Sequence, residues 1–363
     1  MFSPQGAEAQ KADGKLLSVV VLGRHNLRAP LNMAAIKKLT PHKWHEWDAP
    51  SGELTARGGA LSGIMGNYFR LWLEDEGLFP KHYIPKEGEV RLYANSVERT
   101  IATAKHFGAG LLPIANLTAL HKPLGATDAF FAFNVPENRI LHEIAQEEFD
   151  MAGGANALLK RAKEPVASVE KLLDFSRSDY AKEHGATKIP VTSYQVYNGE
   201  KFRLRASFLE AQRASDAITL ACYEGKMNLG ADELTQIANL NNIGIDALFA
   251  MPTLTKTVGV NLLQTLRSEL ASDVRFSYFC GHDTNLAALL SALEVEDYDL
   301  PRSLSKVPIG ANIVMEKRLL QRGDKRAKLS LVYASTESIR DVETFTLAQP
   351  PQKLTLRLKG FTP

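Results

Sequence analysis

The sequence predicts an α/β domain interrupted by a mostly helical insertion, and three observations carry that expectation. The short β-branched run Leu16 to Leu22 has the composition of a strand buried on both faces. Strand-like and helix-like segments alternate up to about residue 121 and again from about residue 260. Between them lie long charged helical stretches without an evident buried strand.

Residues 1–15 are polar and read as a flexible N-terminal segment lacking the apolar core of a secretory signal. A processed exported chain and a cytoplasmic chain would look alike in this respect. After the first strand, LTARGGALSGIMGNYFRLWLEDEGLF places Leu61, Met65, Tyr68 and Trp72 at three- and four-residue steps. That period predicts an amphipathic helix with Thr55 as its N-cap. EVRLYAN (89–95) reads as a strand, SVERTIATAKHF as the following helix, and GLLPIANL as a strand with a proline at its edge. From 122 to 259 the stretches ILHEIAQEEFDMAGGANALLKRAKEPVASVEKLLDF and SFLEAQRASDAITLACYEG predict a helical cap. The α/β texture returns with helix VGVNLLQTLRSELA, strand VRFSYFCG and helix TNLAALLSAL. The strands ANIVMEKRL, AKLSLVYAS and QKLTLRLKG close the chain. The expected division is 16–121 and 260–363 for the two parts of the α/β domain, with the cap between.

The chain has 363 residues, 45% hydrophobic and 23% charged, with a formal charge of +2. So balanced a charge offers no polyanion-binding face, and nucleic acid is not an expected partner. No apolar run approaches the roughly 20 residues of a membrane span. Cys222 and Cys280 allow at most one disulfide and read as small buried hydrophobes, and no zinc-ligand spacing is present. Lys37, Lys38 and Lys43 read as a solvated face, and HKWHEWDAP as a loop anchored to the core.

Chemistry concentrates where three predicted strands end. The first empties into Arg24, His25 and Arg28; the second leads to Arg99; the third ends in His282 and Asp283. Each cluster alone has an ordinary explanation, a solvated turn, a local ion pair or a helix cap. Active sites in open α/β sheets gather at the carboxyl ends of strands, so the coincidence of three is what matters. Three arginines and a second histidine around one imidazole suit a tetrahedral dianion, because guanidinium forks match phosphate oxygens. Surrounding cations would keep His25 neutral and nucleophilic toward phosphorus. Asp283 could protonate the leaving oxygen, its carboxyl pKa raised beside a bound phosphate. The scheme calls for no metal or other cofactor.

These motifs resemble those of the histidine acid phosphatases. RHNLRAP is similar to their RHGxRxP signature, GHDTN to their HD motif, and ANSVERT to the segment carrying their third phosphate-binding arginine. The likeness extends through LTARGG, VPIGANIVME and the closing strand. It implies a phosphoglycerate-mutase-like mixed sheet flanked by helices, with a mostly helical inserted domain. His25 would then be the nucleophile and Asp283 the proton donor, with Arg24, Arg28, Arg99 and His282 holding phosphate. Asn26 stands where the family usually has glycine and Leu31 follows the proline, as in the bacterial glucose-1-phosphatase branch. Leu31 is therefore a candidate pocket residue. Glu224 is another, read equally as a carboxylate facing a sugar or as a solvated helix end. The expected function is an acid phosphomonoesterase on glucose 1-phosphate or related sugar phosphates, with phytate slower. A phytase proper, a mutase of the wider superfamily and a non-catalytic phosphate-binding relative are the alternatives. The resemblance implies a periplasmic monomer or homodimer, with the cytoplasm left open.

Overall fold

The computed structural model describes residues 14–359; of the predicted flexible segment 1–15, residues 1–13 lie outside them. The first half of the chain contains β1 (Lys15–Arg24), α1 (Met33–Lys38), α2 (Ala56–Asp75), β2 (Val90–Ala94), α3 (Glu98–Leu111) and β3 (Ala119–Leu120). Then come α4 (Arg139–Met151), α5 (Gly154–Leu173), α6 (Asp179–His184), β4 (Tyr194–Tyr197), β5 (Phe202–Ala206), α7 (Leu209–Tyr223) and α8 (Ala231–Phe249). The last third holds α9 (Pro252–Ala271), β6 (Phe276–Gly281), α10 (Asp283–Ala292), β7 (Asn312–Leu319), β8 (Lys325–Tyr333), α11 (Thr336–Asp341) and β9 (Gln352–Thr355).

Seven strands form one mixed sheet in the order β3-β2-β6-β1-β7-β8-β9. The strands from β3 to β1 run parallel, and β7, β8 and β9 add antiparallel. β1 is central, which is why its residues are apolar at successive positions. Val19 and Val21 pack into one core with α2 and α3, whereas Val20 and Leu22 face a second core on the other side. That second core is continuous from the sheet and α10 through α4, α5, α7 and α8, so the helical stretch shares its apolar interior with the α/β part.

Thr55 caps α2 as its sequence predicts, accepting from the Gly58 N–H at 3.0 Å. α2 and α3 approach closely because Gly66 and Gly110 lack side chains. A Cβ on Gly66 would strike the Phe107 carbonyl, and one on Gly110 would strike the Gly63 carbonyl.

Two expectations need correction. GLLPIANL is not a strand: α3 runs on to Leu111, a turn follows, and only Ala119 and Leu120 pair with β2. Pro113 has no N–H for a ladder, and Asn116 adopts a left-handed φ of 47° that closes the turn. The helical stretch also contains a β-hairpin, β4 with β5, half exposed and packed on α4 and α5. Its signature was the alternation in YQVY and FRLR around Asn198-Gly199, a residue pair that favours tight hairpin turns.

Candidate active site

Strand register brings the three sequence clusters level. Arg24 pairs with Gly281, while Gly23 and Ala94 both pair with Cys280. Past the strands, the His25 N–H donates to the Gly281 carbonyl at 2.9 Å and the Asn95 N–H to the Cys280 carbonyl at 3.0 Å. The carboxyl ends of β1, β2 and β6 thus form one edge. His25, the approach to Arg99, and the His282–Asp283 pair all start from it.

His25 is buried, only 5% exposed, and its Nδ1 lies 2.9 Å from the Asn26 carbonyl. A carbonyl can only accept, so Nδ1 carries the proton and Nε2 keeps its lone pair. Burial pushes the His25 pKa well below its ordinary value, with Arg99, His282, Arg24 and Arg28 acting the same way. Burial is thus the largest single cause, with the cations that the sequence points to adding to it. Asn26 fixes this local geometry. Its N–H donates to Thr103 Oγ1 at 3.1 Å and its Oδ1 accepts from the Leu27 N–H at 2.9 Å. The neighbouring Gly310 has a φ of 67°, and a Cβ there would come within 2.8 Å of Asn26 Nδ2.

The cations surround this imidazole. Arg24 donates to the Val307 carbonyl at 2.5 Å and pairs with Asp283 at 3.0 Å. The Arg99 guanidinium lies 3.5 Å from His282 Nδ1 and 3.4 Å from the Gly52 carbonyl. The rings of His25 and His282 meet edge to face, with centroids 5.4 Å apart. Arg24 and Arg99 each also have a buried Nε without a hydrogen-bond partner, so donor capacity remains in the cluster.

Asp283 is the first residue of α10, with its Oδ1 accepting from the Thr284 N–H at 2.8 Å. Burial alone would raise its pKa. Arg24, that N–H, His282 and Arg28 together hold it below the usual carboxylate value. The raised pKa expected of Asp283 belongs to the phosphate-bound state; without that anion, Arg24 holds the carboxyl low. A phosphate dianion engaging Arg24 would reverse that balance.

Beside the cluster lies a cavity of about 490 Å³ whose lining includes Arg24, Arg28, Leu31, Asp216, Tyr223 and Asp283. Leu31 is 59% exposed on its wall. Glu224 is not in the lining, and its reading as a pocket carboxylate is corrected. It caps the C-terminus of α7 and turns toward the start of α2. There it accepts from the Thr55 hydroxyl at 2.5 Å and lies 3.6 Å from Arg57 Nε. Its phase on the helix is close to that of Leu220, one turn earlier and in the lining, so the bonds to Thr55 and Arg57, not helical phase, hold its carboxylate away from the cavity.

Sequence reasoning missed Asp216. From the middle of α7 its two oxygens accept from both terminal nitrogens of Arg28, at 3.1 and 3.2 Å. A carboxylate inside the apolar run ASDAITLA was the available signal. Asn95, 2.8 Å from His282 Nε2, was also missed.

The chain is 30% identical to glucose-1-phosphatase of Salmonella typhimurium, over 99% of its own length and 89% of that protein's. The chain belongs to the histidine phosphatase superfamily, branch 2. The family model for that superfamily matches residues 15–176. Phytase AppA of Escherichia coli is 27% identical over 99% of this chain and 90% of its own. Among solved structures, Hafnia alvei phytase in complex with myo-inositol hexakis sulphate superposes with a TM-score of 0.85 at 25% identity. That match covers 97% of this chain and 94% of the phytase. The mixed α/β architecture is thus that of the histidine acid phosphatases, and the chain is a phosphoric monoester hydrolase of that family. Among the described residues no three His, Cys, Asp or Glu side chains cluster as metal ligands, and no helix is long and apolar enough to cross a membrane.

Proposed function

We propose that this chain hydrolyses small sugar phosphates of the glucose 1-phosphate type in mildly acidic solution, through a phosphohistidine at His25. The observation that carries the reading is the bond from His25 Nδ1–H to the Asn26 carbonyl. It leaves Nε2 unprotonated among Arg24, Arg28, Arg99 and His282. In this scheme the arginines and His282 bind the equatorial phosphate oxygens. Nε2 attacks phosphorus, the P–O bond to the sugar breaks, and Asp283 gives its proton to the departing oxygen. Water then attacks the phosphohistidine. Asp283 takes the water proton, and the N–P bond breaks to release phosphate.

Preference for a small sugar phosphate over phytate is supported by the cavity beside the cluster. Asp216 places negative charge on its wall and Leu31 narrows it with an apolar side chain. A carboxylate there accepts sugar hydroxyls and disfavours additional phosphates. A phytase proper is the second reading, favoured by the superposition on solved phytases. We assign the enzyme to the periplasm, in line with the bacterial relatives it resembles.

The test pairs catalysis with trapping. At about pH 5, glucose 1-phosphate turnover with a base-stable, acid-labile phosphoryl group on the wild type, both lost in His25→Ala, is the expected result. Turnover surviving in His25→Ala would remove His25 as nucleophile. Phosphate binding without turnover in the wild type would favour the non-catalytic alternative. A higher kcat/KM on phytate than on glucose 1-phosphate would establish the phytase reading.

A further inference from the structure

His282 is held at both ends by side-chain amides. Its backbone N–H donates to Asn285 Oδ1 at 2.9 Å, and Asn285 Nδ2 in turn donates to the Phe131 carbonyl at 2.7 Å. At the ring end, Asn95 Nδ2 lies 2.8 Å from His282 Nε2. The orientation of the Asn95 amide is set by the Ser96 N–H, which donates to Asn95 Oδ1 at 2.8 Å. The reversed amide would place its NH₂ against that N–H, two donors in contact, and would leave a buried donor unsatisfied. The Asn95 backbone is fixed as well. Its N–H is held by the Cys280 carbonyl, and its own carbonyl accepts from Thr100 Oγ1 at 2.7 Å.

An amide nitrogen only donates, so Nε2 of His282 must present its lone pair, and in a neutral ring the proton then resides on Nδ1. The neighbour of Nδ1 is the Arg99 guanidinium at 3.5 Å. A guanidinium can only donate, so this contact favours the opposite tautomer, but at 3.5 Å it is the longer and weaker of the two, and the 2.8 Å bond from Asn95 prevails. Nδ1–H and the guanidinium are both suited to one anionic oxygen between them.

We propose that Asn95 is a positioning residue that locks His282 as the neutral Nδ1–H tautomer, giving the transferring phosphoryl group a donor without a further positive charge. The proposal rests on the reading of His282 as a phosphate ligand only for its catalytic consequence. The tautomer itself rests on the shorter of the two ring contacts, the one from Asn95. Neutrality matters because Arg24, Arg28 and Arg99 act on the same ring, His25 lies edge-on to it, and Asp283 opposes them. Another cation there would oppose its neighbours and strengthen the hold on product phosphate. An aspartate at 95 would act the other way. With one oxygen still on the Ser96 N–H, the other would face Nε2 and require a proton there. His282 would then be the imidazolium at low pH. At higher pH it would become an Nε2–H tautomer whose Nδ1 lone pair repels phosphate oxygens.

The first test is long-range ¹H–¹⁵N correlation on unliganded, ¹⁵N-histidine-labelled protein at pH 6, with His282 assigned by the signal missing in His282→Asn. A neutral ring protonated at Nδ1 is expected. An imidazolium or an Nε2–H ring in the wild type would overturn the proposal, whatever the protein's activity. The second test compares pH profiles of kcat/KM for wild type and Asn95→Asp with p-nitrophenyl phosphate. Beyond any fall that Asp283 gives the wild type, the variant should show an added ionisation between pH 5 and 7, which steepens its descending limb by about tenfold per pH unit beyond its onset. Parallel profiles from a folded variant would overturn the catalytic consequence. A confirmed tautomer in a protein without phosphatase activity would instead remove the functional reading and leave the positioning role intact.

Discussion

Acid should destabilise the unliganded enzyme through His282, by an amount that follows from its surroundings. Burial first, and Arg99 next, bring its pKa down from 6.5 to about 4, with Asp283 opposing. A histidine depressed on folding binds its proton more tightly in the unfolded chain. Stability is therefore lost as pH falls from the unfolded value of 6.5 toward the folded value near 4. Between pH 7 and pH 4.5 this one ring should remove about 2 kcal/mol. His25, also depressed by burial, adds in the same direction. Asp283 does not offset the loss within this window. Its carboxyl is held below the usual value, so its stabilising contribution disappears only at lower pH. Urea unfolding of wild type and His282→Gln at the two pH values isolates the contribution. The variant should lose about 2 kcal/mol less than the wild type on acidification. Equal losses would refute the claim that His282 is kept neutral by its burial and neighbouring arginines.

Asp283→Asn should reduce kcat on glucose 1-phosphate far more than on p-nitrophenyl phosphate, whose leaving group needs no proton; equal losses would argue against leaving-group protonation. Asp216→Ala frees the Arg28 fork and removes the cavity carboxylate. It should raise the kcat/KM ratio of phytate to glucose 1-phosphate, and an unchanged ratio would exclude Asp216 from specificity. Glu224→Gln should leave that ratio unchanged and lower stability by about 1 kcal/mol, read by thermal unfolding, because the carboxylate ties α7 to the cap of α2. Gly110→Ala should destabilise the fold by about 2 kcal/mol or more, since its Cβ has no space against the Gly63 carbonyl. Wild-type thermal stability in that variant would contradict the close α2–α3 contact.

Much of the scaffold was readable because its signals are local. β1 and β6 are mostly apolar and buried along most of their length, since both are interior strands of the sheet. The amphipathic period of α2 and its Thr55 cap were likewise visible in neighbouring residues. The β4–β5 hairpin was overlooked although Asn198-Gly199 marked it, because a half-exposed pair of short strands adds little apolar signal to a helical stretch. GLLPIANL was misread because its apolar residues suit a strand, while the α3 continuation and the turn at Asn116 depend on packing against β2 and α2.

The site divides along the same line. His25, Asp283 and the three arginines could be named from the chain because each stands in a compact motif at a strand end or helix start. Asp216 and Asn95 could not, since the partners that give them meaning are 188 residues away at Arg28 and 187 away at His282. Glu224 shows the converse error, a carboxylate on the right segment that is drawn away by Thr55 and Arg57, partners far off in the chain. The sequence by itself determined which groups are available for phosphoryl chemistry and which strands deliver them, because bonding order and side-chain period are local properties. Only the tertiary structure decided that His25 holds its proton on Nδ1, that Arg24 keeps Asp283 low, and which acid lines the cavity. Those outcomes are set by burial and by hydrogen bonds between residues far apart in the chain.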